Sequence, residues 1–585
     1  MYCGDETGSF IGEIGSHTCR FGYGGEDNPK LTMPSYVVSN SSVKDPKQRR
    51  RMARFSSLHP PKEEEVMESI LRMPCSSSSV IGGDDNSTSN SNDCHEPLTD
   101  PNSFLRQGEV VENWDNLQTA WEHSMDTLRA TDTLKHTQGG TPYERTKKQK
   151  REHRRVAASG ISSASVVNQE DGGIEGRCVH PILAVTPGIS ECTSSSSLDK
   201  DEAAATGPNF QAAVKRQQHI SYTEMLMESL DATSAFLAPA PMLAAFSLGR
   251  QTALVVDIGA GGCRVTPVVD GLVLKLAQRR SGRGGDWLGN VTWKALLEEA
   301  QMEDGGSSPG NEKTEAAATR IKPRYLLNNK YEGEQLSSVF HRRAMNDLMY
   351  EVRTEPFVKL YGMEDVEKIR IPFGHKSRSG GDLTMSSPPG SPDAANKMDI
   401  EKAETPAQGS TPSQGMMGEP SIYELPDGTP VDLKSSSFGK DLCQLPELLF
   451  CDETVLPFRS AANANSCVAK HSTLSNLPLH ELIRESLLAV GDVDARKELA
   501  GCICLVGASS LLPNLEKRLS QELTALLPSF VRPKVVAPKI ASVERSCASW
   551  IGASILTSLG SFQQLWLSRA EYEEYGATLS IQRFP

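Results

Sequence analysis

With 585 residues the chain exceeds the size of a single hydrophobic core, so two or more domains are expected. Only 38% of its residues are apolar and 6% aromatic, which leaves some segments outside any core. A formal charge of −13 excludes a chain that grips nucleic acid over its whole surface, and the 13 scattered cysteines form no Cys-x-x-Cys pair, so reduced structural thiols are expected and not a zinc site.

The opening Met1-Tyr-Cys-Gly-Asp-Glu6 lacks the basic-then-apolar order of a signal peptide. The most apolar stretch, Phe236 to Val256, is broken by Pro239, Pro241, Gly249 and Arg250, so no membrane span is expected.

Glu13-Ile-Gly-Ser-His-Thr-Cys-Arg20 is the first of two copies of one phrase: an acid, Ile-Gly, a small residue, two spacers and Cys-Arg. The second, Asp257-Ile-Gly-Ala-Gly-Gly-Cys-Arg264, starts 244 positions later, which implies a duplicated half-molecule. In each copy a strand-like run meets an acid and then a turn containing Gly15 and Ser16, or Gly259, Ala260 and Gly261. Glycine permits close approach of the backbone, so the amides of such turns can converge on a phosphate, and the acids Glu13 and Asp257 can hold a metal ion through its waters. The bland alternative is two ordinary hairpins in which Arg20 and Arg264 pair with those acids.

Further along the chain, Ser76 to Asp93, Thr131 to Asp201 and Ser377 to Pro420 lack periodic apolar residues and read as solvated or disordered. Between them, Trp114, Leu117, Trp121, Met125 and Leu128 fall on one face of an amphipathic helix, with Asn113 as its N-cap. Tyr222 to Phe246 reads as a helix, an extended Pro-containing link and a second helix. Cys502-Ile-Cys504-Leu-Val506 reads as a buried strand, Leu515 to Leu526 as a helix and Arg532 to Ala537 as a short strand. Trp550, Ile551, Ser554, Ile555 and Leu559 make a helix face that ends at Gly560. Ser561-x-x-Gln564 and Ser568-x-x-Glu571 both fit the capping-box pattern, and Gly576 stands where a helix C′ residue would.

Taken together, Ile14-Gly-Ser16, Arg20-Phe-Gly-Tyr-Gly-Gly-Glu-Asp27, Asn113-Trp-Asp115, Tyr423-Glu-Leu-Pro-Asp-Gly428 and the long block from Trp550 to Trp566 resemble actin from end to end. Within that superfamily, Met1-Tyr-x-Gly-Asp-Glu6, Glu26-Asp27 and Val543-Glu-Arg-Ser-x-x-Ser-Trp550 resemble the nuclear actin-related protein 4 class. That class comprises subunits of SWI/SNF-type chromatin remodellers and of histone acetyltransferase complexes.

The resemblance implies an α/β, actin/Hsp70-like two-lobed fold with duplicated sheet-and-helix halves, ATP or ADP with Mg²⁺ in the cleft between them, and long disordered insertions. It assigns 1–34, 105–130, 180–245 and 540–585 to the first inner subdomain, and 35–104 to a small outer one with a Ser/Asn-rich insertion. A basic, Ser-rich insertion occupies 131–179. The second inner subdomain takes 246–282 and 456–539, and the second outer one 283–455, with a Ser/Pro-rich insertion at 377–420. Phosphate would lie against Glu13, Gly15, Ser16 and Arg20 from one lobe and Asp257, Gly259, Ala260 and Gly261 from the other. Gly507, Ala508 and Ser509 would lie beside the adenosine.

Matched position by position, the resemblance argues against hydrolysis. Ala260 replaces an acid of actin's second phosphate loop, Glu224 is expected where actin orders water with Gln, and Arg264 replaces a His. Glu13 is one methylene longer than actin's Asp, and Ser546 replaces a basic residue near the adenine. Arg stays protonated at neutral pH and cannot act as a base, and loss of one water-positioning or charge-stabilising group costs on the order of 10²–10³ in rate. No catalytic residues are therefore expected.

Lys147-Lys-Gln-Lys-Arg-Glu-His-Arg-Arg155 and Lys47-Gln-Arg-Arg-Arg-Met-Ala-Arg54 concentrate positive charge. For the first run, Lys147, Lys148, Lys150 and Arg151 suit a nuclear import signal. The partners implied are actin, a long helix of a remodeller ATPase received in an apolar crevice that includes Ile551 to Trp566, other chromatin-complex subunits, and histones or DNA phosphate. A cytoskeletal ATPase or filament protein is the competing reading. It is disfavoured by the Ser/Asn-rich stretch from Met33 to Gln107, which is unlike actin's.

Overall fold

The computed structural model describes residues 8–35, 105–106, 110–111, 114–139, 180–187, 208–303, 338–362, 372, 422–425, 428–434, 436–452, 477–538 and 542–585. Both basic runs, the stretches 76–93 and 377–420, and Asn113 lie outside these residues.

Two sheets of matching topology carry the fold. In the first, the hairpin β1 (Phe10–Ile14) and β2 (Thr18–Tyr23) is extended antiparallel by β3 (Leu31–Pro34). On its other side β1 pairs in parallel with β4 (Ile182–Thr186), and β4 with β5 (Ser234–Pro239). The short strand Leu567–Ser568 closes the edge beyond β5.

The second sheet repeats this plan. The hairpin β6 (Ala253–Gly259) and β7 (Gly262–Val269) is flanked by β8 (Leu272–Val273) and β9 (Arg279–Ser281), both antiparallel to β7. Beyond β6 lie β10 (Ile503–Val506) and β11 (Val535–Val536), both parallel. The two orders, β3-β2-β1-β4-β5 and β8-β7-β6-β10-β11, superimpose strand for strand. The duplication expected from the repeated phrase is therefore a duplication of sheets.

Each sheet has its own core. In the first, helix Trp114–Gly139 lays Leu117, Trp121, Met125 and Leu128 against the strands, all buried, as the three-and-four spacing requires. Burying such side chains stabilises by about 1.5–3 kcal/mol each. The ring of Trp121 lies over Gly12 so closely that any Cβ there would strike it, and it meets Phe21 edge to face at 5.1 Å. In the second, helix Leu515–Leu526 buries Leu515, Leu519 and Leu523, and helix Leu479–Ala489 buries Leu482, Ile483 and Leu487. The inward-facing Arg518 is accommodated because Glu447 accepts from it at 2.8 Å in a buried ion pair.

A smaller cluster joins the halves. Ala244 and Ala245 of helix Ala240–Ser247, which carries the chain out of the first sheet, pack with Ala253, Val255, Cys504 and Ala548. Helix Ala548–Ser558, which brings the chain back, crosses helix Ala240–Ser247 at Gly552. Any Cβ there would collide with the backbone oxygen of Leu243.

Several expectations need correction. The stretch from Thr131 to Asp201 was expected to be solvated, yet Ile182–Thr186 is a central strand, with Ile182, Leu183, Ala184 and Val185 fully buried. A parallel strand covered on both faces is a continuous apolar run and carries no alternation. Helix Trp114–Gly139 also runs beyond Thr131.

The Pro-containing link within 222–246 is the strand β5, preceded by a short π-helix at Met225–Ser229. Ser561 and Gln564 form no capping box, because Gly560–Gln564 is a 3₁₀ turn with no side-chain cap. Ser568 and Glu571 form the reciprocal box, and Gly576 ends that helix at φ +74°. The face expected on 550–559 is split. Trp550 and Ser554 are buried against small neighbours, while Ile555 and Leu559 are exposed.

Candidate functional site

Each copy of the phrase folds as a hairpin whose acid and arginine are cross-strand partners. Glu13 pairs in register with Arg20, and Asp257 with Arg264. Between them lie the turns. In the first, the amide of Gly15 donates to the carbonyl of Thr18 at 3.1 Å. In the second, Gly259 and Gly262 face each other across Ala260 and Gly261.

Both turns open on one cavity of about 630 Å³. All eleven residues assigned by resemblance to nucleotide line it: Glu13, Gly15, Ser16 and Arg20 on one wall, Asp257, Gly259, Ala260 and Gly261 on the other, and Gly507, Ala508 and Ser509 between. Gly507 closes the end of β10 with φ +92°, and a side chain there would meet the carboxylate of Asp257 at 2.5 Å. At Gly259, by contrast, a Cβ would meet the carbonyl of Gly262 at 3.8 Å and the Asp257 carboxylate at 4.0 Å, ordinary contact distances, so a side chain of one carbon fits there on the cavity wall.

The electrostatics are dominated by arginine. Arg20, Arg264, Arg280, Arg353 and Arg545 line the cavity against two carboxylates, Glu13 and Asp257. Arg280 stands in register with Arg264 on the neighbouring strand, so Asp257, Arg264 and Arg280 form a row across three strands. Like charges placed opposite on adjacent strands destabilise a sheet unless countercharge offsets them.

Arg20 donates to Glu13 at 3.1 Å. Arg280 donates to the carbonyl of Gly261 at 3.3 Å, and Arg353 to that of Gly285. Burial pushes the Glu13 carboxyl above the ordinary range, opposed mainly by Arg20. Burial also raises Asp257, opposed by Arg264, Arg20 and Arg280 together. An excess of guanidinium over carboxylate in a desolvated cleft, with acids at both strand ends, is a donor set suited to a polyphosphate carrying a divalent cation.

Arg280, Arg353 and Arg545 were not picked out in the sequence, and neither was an aromatic pair. The ring of His17, in the first turn, stacks on Tyr350 at 5.3 Å and 14°, and the Arg353 guanidinium lies over the same Tyr350 ring at 5.1 Å. Tyr350 and Arg353 belong to helix Ser338–Thr354, so this stack joins the first turn to the second half. Arg280 lies in β9, beyond a 3₁₀ turn at Lys275–Ala277, and no local signal marks Arg280, Arg353 or Arg545 as facing a site.

Ser546 lines the cavity as expected. Glu224 does not. It ends helix Pro208–Glu224, exposed and close enough to Tyr572 to raise that hydroxyl's pKa, and it takes no part in the cavity wall. The expectation of a carboxylate near the terminal phosphate from Glu224 is therefore corrected: Glu224 is exposed at the end of its helix and is not among the residues that line the cavity.

A family model described as Actin matches residues 4–585. The chain is 25% identical over 594 residues to "Actin-related protein 4" of Arabidopsis thaliana, covering 100% of both chains. It is 26% identical over 588 residues to the protein of that name in Oryza sativa subsp. japonica, again covering 100% of both. It is 27% identical over 589 residues to the one in Emericella nidulans, covering 100% of this chain and 97% of the relative.

Proposed function

The chain belongs to the actin family, and from that premise we propose that it is a nuclear scaffold subunit of chromatin-remodelling assemblies of the SWI/SNF type, of histone acetyltransferase complexes, or of both. It holds ATP or ADP with Mg²⁺ in the cleft and turns it over negligibly. The observation that carries this reading is the cavity walled by both hairpin turns, with five arginines set against two carboxylates.

Arg20, Arg264 and Arg280 hold the phosphates, Glu13 and Asp257 hold the metal's waters, and Ser16 and the Gly259–Gly261 backbone orient the chain of phosphates between them. A bound Mg²⁺ supplies charge neutralisation to the phosphate oxygens. Ala260 offers the second turn only a methyl group, and Arg264 stays protonated beside Asp257. The carboxylates among the described lining residues, Glu13 and Asp257, each stand in register with an arginine, and that pairing commits them to the arginines and the metal's waters and not to a base's role.

Partners dock at the C-terminal block. Ile555, Leu559 and Leu565 are exposed on it at 43%, 49% and 50%, beside the buried Phe562 and Trp566. Such an apolar surface suits the amphipathic helix of a remodeller ATPase, with actin, other chromatin subunits and histones as further partners, and the charge of the basic runs suits DNA phosphate. Lys147, Lys148, Lys150 and Arg151 direct import.

The deciding experiment purifies the full chain, measures retained nucleotide and phosphate release, and identifies co-purifying proteins. Stoichiometric nucleotide without turnover, together with actin and a remodeller ATPase, supports the reading. Phosphate release well above background, or sedimentable polymer, would replace it with a cytoskeletal ATPase. Cytoplasmic motor or capping proteins among the partners would overturn it.

A further inference from the structure

Cys502 and Cys504 lie outside the cleft chemistry. Cys504 is fully buried in β10, and Cys502 immediately precedes that strand at the edge of the same cluster, half-buried. Side chains two apart along an extended chain share a face. Here the two sulfurs stand 3.9 Å apart, in hydrogen-bonding contact.

The surroundings treat these thiols unlike the others. Burial pushes Cys19 and Cys263 up to about 12 and Cys451 to about 11, so those thiols stay protonated. Cys502 is drawn down to about 6 by the hydrogen bond from Cys504, with Arg250 and Lys534 adding positive charge, against opposition from burial and from Glu498. Cys504 is moved the other way and keeps its proton. One sulfur is thus disposed to attack and its neighbour to follow, the arrangement of an attacking and a resolving thiol.

A disulfide needs its sulfurs at about 2 Å, so the present gap must shrink by roughly that distance. The Cys502 backbone is held, its amide donating to Leu499 at 3.1 Å and its carbonyl accepting from Leu254 at 2.9 Å, so closure falls to rotation of the two side chains about their Cα–Cβ bonds beside exposed Gly501.

We propose that Cys502 and Cys504 form a reversible dithiol–disulfide site that reacts with low-molecular-weight disulfides such as oxidised glutathione. The Cys502 thiolate attacks one sulfur of the small disulfide, forming a mixed disulfide and expelling one thiolate, which takes up a proton. Cys504 then loses its proton as its sulfur attacks that of Cys502, and the second small thiol leaves. The protein pair is oxidised by two electrons, and one small disulfide becomes two thiols. The new bond lies beneath Ala244 and Ala245, in the cluster that joins the two halves.

The test exposes the native, reduced full chain to oxidised glutathione near neutral pH, blocks the remaining thiols and maps the peptides. The peptide bearing both cysteines should be unblocked, lighter by two hydrogens and restored by reductant, while Cys19 and Cys263 remain thiols. Cys504→Ser should stop at one glutathionyl group on Cys502, and Cys502→Ser should leave Cys504 unmodified. In the unmodified chain, Cys502 should also alkylate at neutral pH roughly ten-fold faster than an ordinary thiol, a readout that needs no variant. Recovery of both cysteines as thiols, alkylation of Cys502 at the ordinary rate, or pairing of either with a different cysteine would overturn the proposal.

Discussion

The two hairpin turns share a register yet meet the cleft with different material. The first, Gly15 to Thr18, presents side chains: Ser16 lines the wall and His17 reaches across to Tyr350. The second, Gly259 to Gly262, presents backbone. It is locked from behind, because Gly262 at φ +143° abuts the oxygen of Ser281, Gly284 is packed against the amide nitrogen of Gly262, and the amide of Asp286 donates to the carbonyl of Ala260 at 2.9 Å. A duplicated motif has thus split its duties, with one copy a backbone shelf and the other a set of side-chain fingers. The acids diverge in the same way. Glu13 leans on Arg20 alone, whereas Asp257 is surrounded by Arg264, Arg20 and Arg280.

That contrast can be broken most forcefully at its backbone side. Gly262→Ala places a Cβ against the Ser281 carbonyl at a φ that side chains rarely adopt, and should cost about 3 kcal/mol or more of stability. Gly259→Ala, whose Cβ meets its neighbours only at ordinary contact distance, should change the urea midpoint little while weakening nucleotide retention. Equal losses of stability in the two variants would erase the shelf.

The charge asymmetry gives the next effect. Arg20→Ala strands the buried Glu13 and should cost about 3 kcal/mol. Arg264→Ala leaves Asp257 with Arg20 and Arg280 and should cost less than half of that. Chemical denaturation of the two variants side by side checks the ranking, and its reversal would show that the two acids are not held as described.

The smallest effect belongs to the fingers. His17→Ala removes a single ring stack and should lower stability by only about 0.5–1 kcal/mol. It should also speed release of a fluorescent nucleotide, because His17 and Tyr350 are a tie between the halves that borders the cavity. An unchanged off-rate would mean that the stack decorates the rim without guarding it.

Much of this was legible from the chain because it is local. The acid, the Gly turn and the returning Cys-Arg lie within eight residues, so their hairpin pairing follows from sequence alone. Helices Trp114–Gly139 and Leu515–Leu526 announce themselves by spacing, one side of each being buried. What stayed hidden depends on partners distant in sequence. β4 is a four-residue apolar run, Ile182 to Val185, ending in Thr186; it is short, stands between long polar stretches, and lacks the alternation that marks a half-buried strand. Arg353 and Arg545 reach the cavity only because helix Ser338–Thr354 and the segment before Ala548 fold onto it, and each would otherwise read as a surface cation. Trp550, Ile551, Ser554, Ile555 and Leu559 read from their spacing as one helix face, whereas the structure buries Trp550 and Ser554 and exposes Ile555 and Leu559, a division that depends on the helix Ala240–Ser247 packed at Gly552 and not on spacing.

That crossing also sets how the molecule is able to move. The chain passes between its halves along Ala240–Ser247 and returns along Ala548–Ser558, two rods in backbone contact where Gly552 rests on Leu243. Sliding one rod along the other would drive the next side chain into a carbonyl, so translation is blocked while a small rotation about the point of contact is not. The contact at Gly552 therefore fixes the two rods against sliding, and the exposed Ile555 and Leu559 ride on the rod so fixed.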